Sequence, residues 1–566
     1  MKNIVLCADG TGHRGGYGRD TNVYKTYKAV DINSPGVDQY TFYDQGVGTD
    51  KSDTSKNKYR TALSGAFGFG FRNNVLHLYH FLARSYNPGD AIFLFGFSRG
   101  AATVRAFAGF INACGLVDRN HSSVQTNGAF DADKFQELVE RAFECYQHNK
   151  NKPAQQKFKD QYALKESIHA PNGDLKIKFV GVWDTVSALG FSQDFSLLLK
   201  WIFSTAEKIS NMIPWLAHDF YDYELNNSIE NAYHALSIDD ERTTFHPLVW
   251  NEKNFTGHVE QVWFAGVHSN VGGGYPRTGL SDIALQWMQS KAQAHGLVLY
   301  QDHLTAIQDS ANIYDKLYDS RDGVAIYYRY GPRNLSKLCD NKLKGNIAIH
   351  LSAYKKIKEL SDGYAPDSIP SSFDLVDIDP ANPAAATVIS KINAEQPAKW
   401  AALARDMDEV IKKRKNLYRV FVELTMAIIV ISGLFWVWPP ASVVELNTCE
   451  KRQLQIAQTP YTNQFNALIA NPFVVYEQSI DSNQDADTAP EFCKKANTPS
   501  FKWLADIARY LTPAYFENFI TYVFEVHWWI FVGMLSTLLY LSSIRKRCIN
   551  KLDKVCRAMS DLLPKL

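Results

Sequence analysis

Five apolar runs of strand length, each closed by a glycine-rich or polar turn, punctuate the first 280 residues of this chain. They are NIVLCADGTG (3–12), YTFYDQGVGT (40–49), DAIFLFGFSRG (90–100), KIKFVGVWDTV (176–186) and EQVWFAGVHSNVGGGY (260–275). Their Val, Ile, Phe and Leu are continuous rather than alternating with polar residues, the pattern of strands buried on both faces. A parallel sheet covered by helices supplies that environment. Helical stretches fit the intervals: FRNNVLHLYHFLARSY (71–86) spaces its apolar residues at helical period and stops at Asn87-Pro88-Gly89, and AATVRAFAGFINAC (101–114) follows the third run at once. The expected fold is α/β, a doubly wound and mostly parallel sheet.

In such sheets ligands bind beyond the carboxyl ends of the strands, and Asp9, Ser98, Asp184 and His268 all fall there. Gly96, Ser98 and Gly100 fit the Gly-x-Ser-x-Gly nucleophile elbow, a sharp strand-to-helix turn that lifts the serine hydroxyl clear of the sheet. A serine nucleophile needs a base, and the base needs an acceptor that fixes its tautomer. Ser98, Asp184 and His268 supply these types in the chain order of α/β-hydrolases, Ser, Asp, His. Asp184 could instead cap a following helix, and His13 is the next candidate for the base. His268 sits between a strand and SNVGGGY, read as a flexible loop from which a base swings onto Ser98. For the oxyanion hole, one donor is the backbone N–H of Arg99, and the other is that of Gly10 or Thr11 in the Asp-Gly-Thr-Gly turn. That turn also reads as a plain strand ending.

The chain carries 60 basic and 59 acidic residues, a balance that disfavours a nucleic-acid partner. Two stretches depart from the pattern of a soluble protein. Leu424–Val444 is uncharged, follows KKRKNLYR (412–419) and carries Trp436 and Trp438 at its far side; Ile520–Ser543 mirrors it, with Trp528 and Trp529 early and RKR (545–547) after. Each is close to the roughly 20 residues that span a bilayer core. Five Lys or Arg lie in 412–419 and seven in 545–566, whereas 439–518 has six against nine Asp or Glu. Both basic flanks are therefore expected in the cytoplasm. With no amino-terminal signal, the reading is an integral protein of the bacterial inner membrane with two spans and both termini cytoplasmic. Glu423, Glu525 and His527 are boundary residues of the spans.

The expected organisation is a catalytic domain over 1–372, a linker and juxtamembrane helix over 373–417, transmembrane helices over 418–438 and 519–543, an extracytoplasmic loop over 439–518 and a basic cytoplasmic tail over 544–566. The charged helical stretch 389–419 fits a stalk or a homo-oligomer contact, to which the transmembrane helices would add, and its period does not decide between them. Cys7, Cys114, Cys145, Cys339, Cys548 and Cys556 fall on the reducing side without Cys-x-x-Cys spacing, while Cys449 and Cys493 in the loop can pair if that compartment oxidises. No metal or cofactor is expected.

Several blocks occur in order: CADGTG, YDQGVGT, LFGFSRGAATVRAFAG, FVGVWDTVSALG, ALSIDDERTTFHPLVW and VWFAGVHSNVGGGYPRTGLSDIALQWM. In these the chain resembles α/β-hydrolases long labelled as a domain of unknown function, which include the type VI secretion phospholipase effectors of the first class. The resemblance covers about 1–372 and does not reach the membrane segments. It implies lipid esterase activity and carries the family's serine onto Ser98, its acid onto Asp184 and its base onto His268. Arg99 and Arg242 match family positions with an expected structural or substrate-orienting role, and Asp9 is a further substrate-orienting candidate. After the His-Ser pair the family typically has Asp, where this chain has Asn270.

The reading is a membrane-anchored serine hydrolase of lipid esters, a phospholipase of A type or a lysophospholipase, in a toxin, defence or resident role. A tethered head meets bilayer substrate at high effective concentration. KWIFSTAEKISNMIPWLAHDFYDY (200–223) fits either a lid or a core helix pair. Two alternatives compete. One is a non-catalytic membrane signalling module on a hydrolase fold. The other is a metal-dependent phosphohydrolase built on CADGT, against which Cys7 stands where that chemistry needs its nucleophilic Asp.

Overall fold

The computed structural model describes residues 1–46, 65–147, 152–165, 175–187, 221–322, 325, 328–359, 363–377, 397–438, 443, 502–512 and 516–563. Nearly all of the lid candidate, most of the 439–518 loop and both Cys449 and Cys493 lie outside them. The described chain divides into two units, Met1–Lys415 with Lys551–Leu566, and Asn416–Asn550.

In the first unit one sheet holds eight parallel strands: β1 (Lys2–Ala8), β2 (Asp38–Asp44), β3 (Ala91–Phe97), β4 (Phe179–Trp183), β5 (Asn231–Ser237), β6 (His258–Phe264), β7 (Ala348–His350) and β8 (Asp374–Val376). Their spatial order is β2-β1-β3-β4-β5-β6-β7-β8. The direction of winding reverses between β1 and β3, the switch point at which an open parallel sheet leaves a crevice for ligand. Register keeps the carboxyl ends level. Ala8 pairs with Asp44 on one side and Gly96 on the other, Phe97 with Trp183, Trp183 with Ala235, and Ser237 with Phe264.

Continuous apolar strands follow from burial on both faces. In β1, Ile4, Leu6 and Ala8 pack with helices α2 (Gly65–Ser85), α3 (Arg99–Cys114) and α4 (Ala132–Gln147), while Val5 and Cys7 join Phe93, Phe95 and Phe97 on the opposite face. Helix α1 (Asn22–Ala29) and the Gly279–Ala294 helix cover that second face. Cys7 is thus a core residue whose burial pushes its thiol well above the ordinary range.

The sequence missed β5, β7 and β8. NAYHALS interrupts its apolar residues with Asn and His, and β7 and β8 have three residues each, too few to carry a period. Strand β8 also lies beyond residue 372, so the sheet extends past the expected end of the domain. At the other end of the chain, residues of the expected basic tail belong to the first unit: Leu552, Val555, Cys556, Met559 and Leu563 are buried, and Lys358 Nζ donates to the carbonyls of Ser560 and Leu563.

The long helix Pro397–Val437 enters the second unit, and among the described residues it is the one helix long and apolar enough by itself to cross a membrane. Leu424, Leu434, Trp436 and Val437 on it are exposed. The second apolar stretch departs from the expected straight span over 519–543. Glu517–Ile520 is α-helical, Thr521–Val526 forms a π turn, and His527 leaves helical geometry at φ −126° and ψ 56° before the Trp528–Leu562 helix. The His527 N–H reaches back to the Tyr522 carbonyl, an i to i−5 bond of the kind that breaks helices. Its two arms could form one broken span or a re-entrant loop.

Helix α3 packs its first turn on β1. A Cβ on Gly100 would stand 2.1 Å from the Ala8 carbonyl oxygen, whereas one on Gly345 would meet nothing within 4 Å. Gly100→Ala is therefore expected to destabilise the first unit by about 1–3 kcal/mol or prevent its folding, as overpacking against rigid backbone does. Gly345→Ala should leave the thermal midpoint unchanged in scanning fluorimetry of the two proteins.

Candidate active site

Strand β3 delivers Ser98 in a conformation that L-residues avoid, φ 58° and ψ −122°, and α3 starts at the next residue. Two glycines make the turn feasible. A Cβ on Gly96 would stand 2.6 Å from the Gly100 carbonyl oxygen, and Gly100 itself lies against the end of β1. The Ser98 N–H donates to the Trp183 carbonyl (3.1 Å), and the Ser98 carbonyl accepts from Val186 N–H (3.4 Å). The elbow is thereby tied to the end of β4. The Ser98 side chain makes no helix-capping hydrogen bond.

Asp184 follows β4 and also has positive φ, 40°. It caps no helix. Its buried carboxylate accepts from the Ser237 N–H (2.9 Å), from His268 Nδ1 (2.6 Å) and from both Nη atoms of Arg333 (2.7 and 2.8 Å). Burial pushes its pKa up, but the Arg333 charge and hydrogen bonds, with those of His268, outweigh burial and hold it well below the usual carboxylate range.

His268 opens a short helix, His268–Gly272, just past β6. Its N–H donates to Asp240 Oδ2 (3.2 Å), and its ring lies 4.6 Å from that of Phe97, the residue before Ser98, and 5.1 Å from that of Phe245. With Nδ1 engaged by Asp184, the proton belongs there and the Nε2 lone pair is left to act as base. Nε2 is buried and has no hydrogen-bond partner in the described structure. Burial lowers the His268 pKa from its ordinary value, with Asp184 opposing.

The loop after this histidine is not the swinging element read from its glycines. A Cβ on Gly272 would lie 1.9 Å from the Phe97 ring, and Gly273 and Gly274 adopt φ of 85° and 103° beside Thr21 and His13. The glycines serve close packing. Asn270 is likewise internal: its Oδ1 accepts from the N–H groups of Val267 and Tyr318, and its Nδ2 donates to the Lys316 carbonyl.

The Asp-Gly-Thr-Gly turn stands at the switch point beside the elbow, where a Cβ on Gly10 would be 3.3 Å from Ser98 Cβ. The Gly10 N–H donates to Asp9 Oδ1 (2.7 Å), which removes it as a ready donor, while the Thr11 N–H makes no hydrogen bond within the described residues. Arg99 heads α3, where first-turn N–H groups have no acceptor within the helix. Burial lowers the Arg99 guanidinium to about 10.

Asp9 has its carboxylate bound internally by Thr21 Oγ1, the Tyr43 hydroxyl (2.6 Å) and Gly10 N–H, so it ties the turn to α1 and β2. Burial raises its pKa against the pull of those donors. Arg242 donates through Nε and Nη2 to Asp240 (3.0 and 2.7 Å), the residue bonded to the His268 N–H, and lies 3.5 Å over the Phe245 ring. His13 stands 5.9 Å from the Phe97 ring and bonds no carboxylate among the described residues.

Sequence reasoning missed Arg333 and Asp240. Arg333 sits in GPRN (331–334), which matches no motif, and reaches Asp184 across 149 positions. Asp240 lies inside the ALSIDDERTTFHPLVW block, where only Arg242 was singled out.

The chain is similar to proteins already known. An uncharacterized protein of Saccharomyces cerevisiae is 26% identical over 258 residues, which is 44% of this chain and 32% of the yeast protein, so the chain matches about a third of that relative's length. The crystal structure of an uncharacterized protein from Pseudomonas aeruginosa superposes with a TM-score of 0.33 at 17% identity, over 74% of this chain and 59% of that one. Residues 2–291 match the family described as T6SS, phospholipase effector Tle1-like, catalytic domain, and on that match the chain belongs to this family of phospholipase effectors.

Proposed function

We propose that this protein is a membrane-anchored serine hydrolase that cleaves carboxylic esters of lipids, as a phospholipase of A type or a lysophospholipase. The observation that carries the reading is the Asp184–His268 pair at 2.6 Å, set beside a strained serine elbow on the same sheet edge within the family's matched segment. In the first half-reaction His268 Nε2 takes the Ser98 hydroxyl proton as Oγ adds to the acyl carbonyl. The N–H groups of Arg99 and Thr11 receive the oxyanion. Collapse expels the lipid alkoxide, protonated by His268, and leaves an acyl-serine that water hydrolyses by the same steps.

The apolar Pro397–Val437 helix supports anchoring, with a second crossing supplied by the stretch around His527 and both termini on the cytoplasmic face. The catalytic unit then works on the leaflet it faces. Phe245 and Tyr328 present aromatic rings beside His268, with the Arg242 side chain stacked on Phe245, chemistry suited to an acyl chain.

Ser98→Ala is expected to lower ester hydrolysis by at least about a thousandfold while the protein still folds and sediments with membranes. A fluorophosphonate should label wild type at Ser98 and spare the variant. Lipidomics of cells expressing the two proteins should show free fatty acid and lysolipid, or deacylated lysolipid, rising only with wild type. An unlabelled wild type, or an unchanged biological effect in Ser98→Ala, would instead favour the signalling module.

The base must be neutral, and burial lowers the His268 pKa. The acid limb of kcat/KM against pH is therefore expected below the ordinary histidine value of about 6.5: activity persists through mildly acidic pH and is lost only as pH falls past that lowered value. An acid limb above it would contradict the burial of His268.

A further inference from the structure

We infer that Arg333 is a positioning residue for the catalytic acid: it holds both oxygens of Asp184 in place for His268 and balances the carboxylate charge beside the base. The inference rests on the assignment of Ser98, Asp184 and His268 made under Proposed function, and Arg333 lies outside the 2–291 segment that defines the family match.

The geometry is a planar fork on a planar acceptor. Arg333 Nη1 donates to Asp184 Oδ1 (2.7 Å) and Nη2 to Oδ2 (2.8 Å), the oxygen that also accepts from His268 Nδ1. Nη1 donates further to the Ser237 carbonyl (2.5 Å) and hydroxyl (2.6 Å), and Nη2 to the Phe245 carbonyl (2.5 Å). Neither partner's side chain has any solvent exposure. A lysine offers a point charge rather than two parallel donors, so the fork fixes carboxylate orientation as well as charge.

The charge has a consequence for the base. In a Ser-His-Asp unit the aspartate stabilises the imidazolium that forms as serine gives up its proton. Here a full cation already rests on that aspartate. Of the other charged groups at His268, Asp240 is paired with Arg242 at 2.7 Å, and Arg242 itself opposes the imidazolium; the neighbouring Asp239 accepts from the Gly266 N–H and the Tyr364 hydroxyl. Burial raises Asp239 to about 7. Two further buried imidazoles are held toward neutrality by burial, His234 at about 3 and His246 below its ordinary value. His268 thus meets two carboxylates, Asp184 at its ring and Asp240 at its N–H, each also paired with an arginine.

Removing the Arg333 cation should leave Asp184 free to stabilise imidazolium, so the acid limb of kcat/KM moves to higher pH. The test compares full-length wild type, Arg333→Gln and Arg333→Lys in detergent micelles, with a short-chain p-nitrophenyl ester as substrate and fluorophosphonate labelling as the measure of competent sites. Arg333→Gln is expected to raise the acid limb by about one pH unit and lower kcat by about a hundredfold, as misplaced catalytic groups do. Arg333→Lys should keep the wild-type acid limb yet lose at least about tenfold in kcat at unchanged KM. If Arg333→Gln does not fold, the lysine variant decides alone, and a wild-type kcat in it overturns the inference. Equal losses in both variants with an unmoved acid limb would mark Arg333 as structural only and also overturn it. Failure of the underlying assignment reads differently: wild type would then escape labelling at Ser98, or Ser98→Ala would match wild type.

Discussion

Asp184 is removed from water completely, which for an isolated carboxylate costs several kcal/mol, and every donor that replaces the lost hydration comes from a distant part of the chain. Ser237 at the end of β5, His268 past β6 and Arg333 from beyond the Gly279–Ala294 helix all close on it. Its own N–H donates to the Ala235 carbonyl. These bonds exist only when the β4, β5 and β6 ends stand level, as the register makes them. Loss of the carboxylate would strand a buried arginine and several polar groups, so sheet assembly and site assembly are the same event.

Strain and rigidity go together at this edge. Ser98 and Asp184 both occupy backbone conformations that cost of order 1–3 kcal/mol each. They persist because the neighbouring backbone overdetermines them: Ser98 hydrogen-bonds to the chain on either side of Asp184, at Trp183 and Val186. His268 is equally fixed, its ring against those of Phe97 and Phe245, with Gly272 pressed on the Phe97 ring. Groups held this way are organised in advance of any ligand.

What could be read from sequence follows from the range of the forces involved. The placement of Ser98, Asp184 and His268 was legible because each ends a strongly apolar run, and a parallel sheet brings such ends to one edge whatever the connections. Thr21 and Tyr43 as partners of Asp9, Asp240 as partner of the His268 N–H, and Arg333 were not legible, because nothing local to a polar side chain tells which distant group it meets. Glycine misled in one place. GGG after His268 looked like freedom and is instead close packing against Phe97 and Thr21, a distinction visible only once the neighbours are known.

The return of Lys551–Leu566 to the first unit bears on the path of the chain. A polypeptide that leaves a folded unit at Asn416 and rejoins the same unit at Lys551 must finish on the side where it started. Across a bilayer such an excursion makes an even number of crossings, so a solitary span does not fit it. If the Pro397–Val437 helix crosses, the return crossing falls between Trp438 and Lys551, an interval that includes the broken stretch around His527.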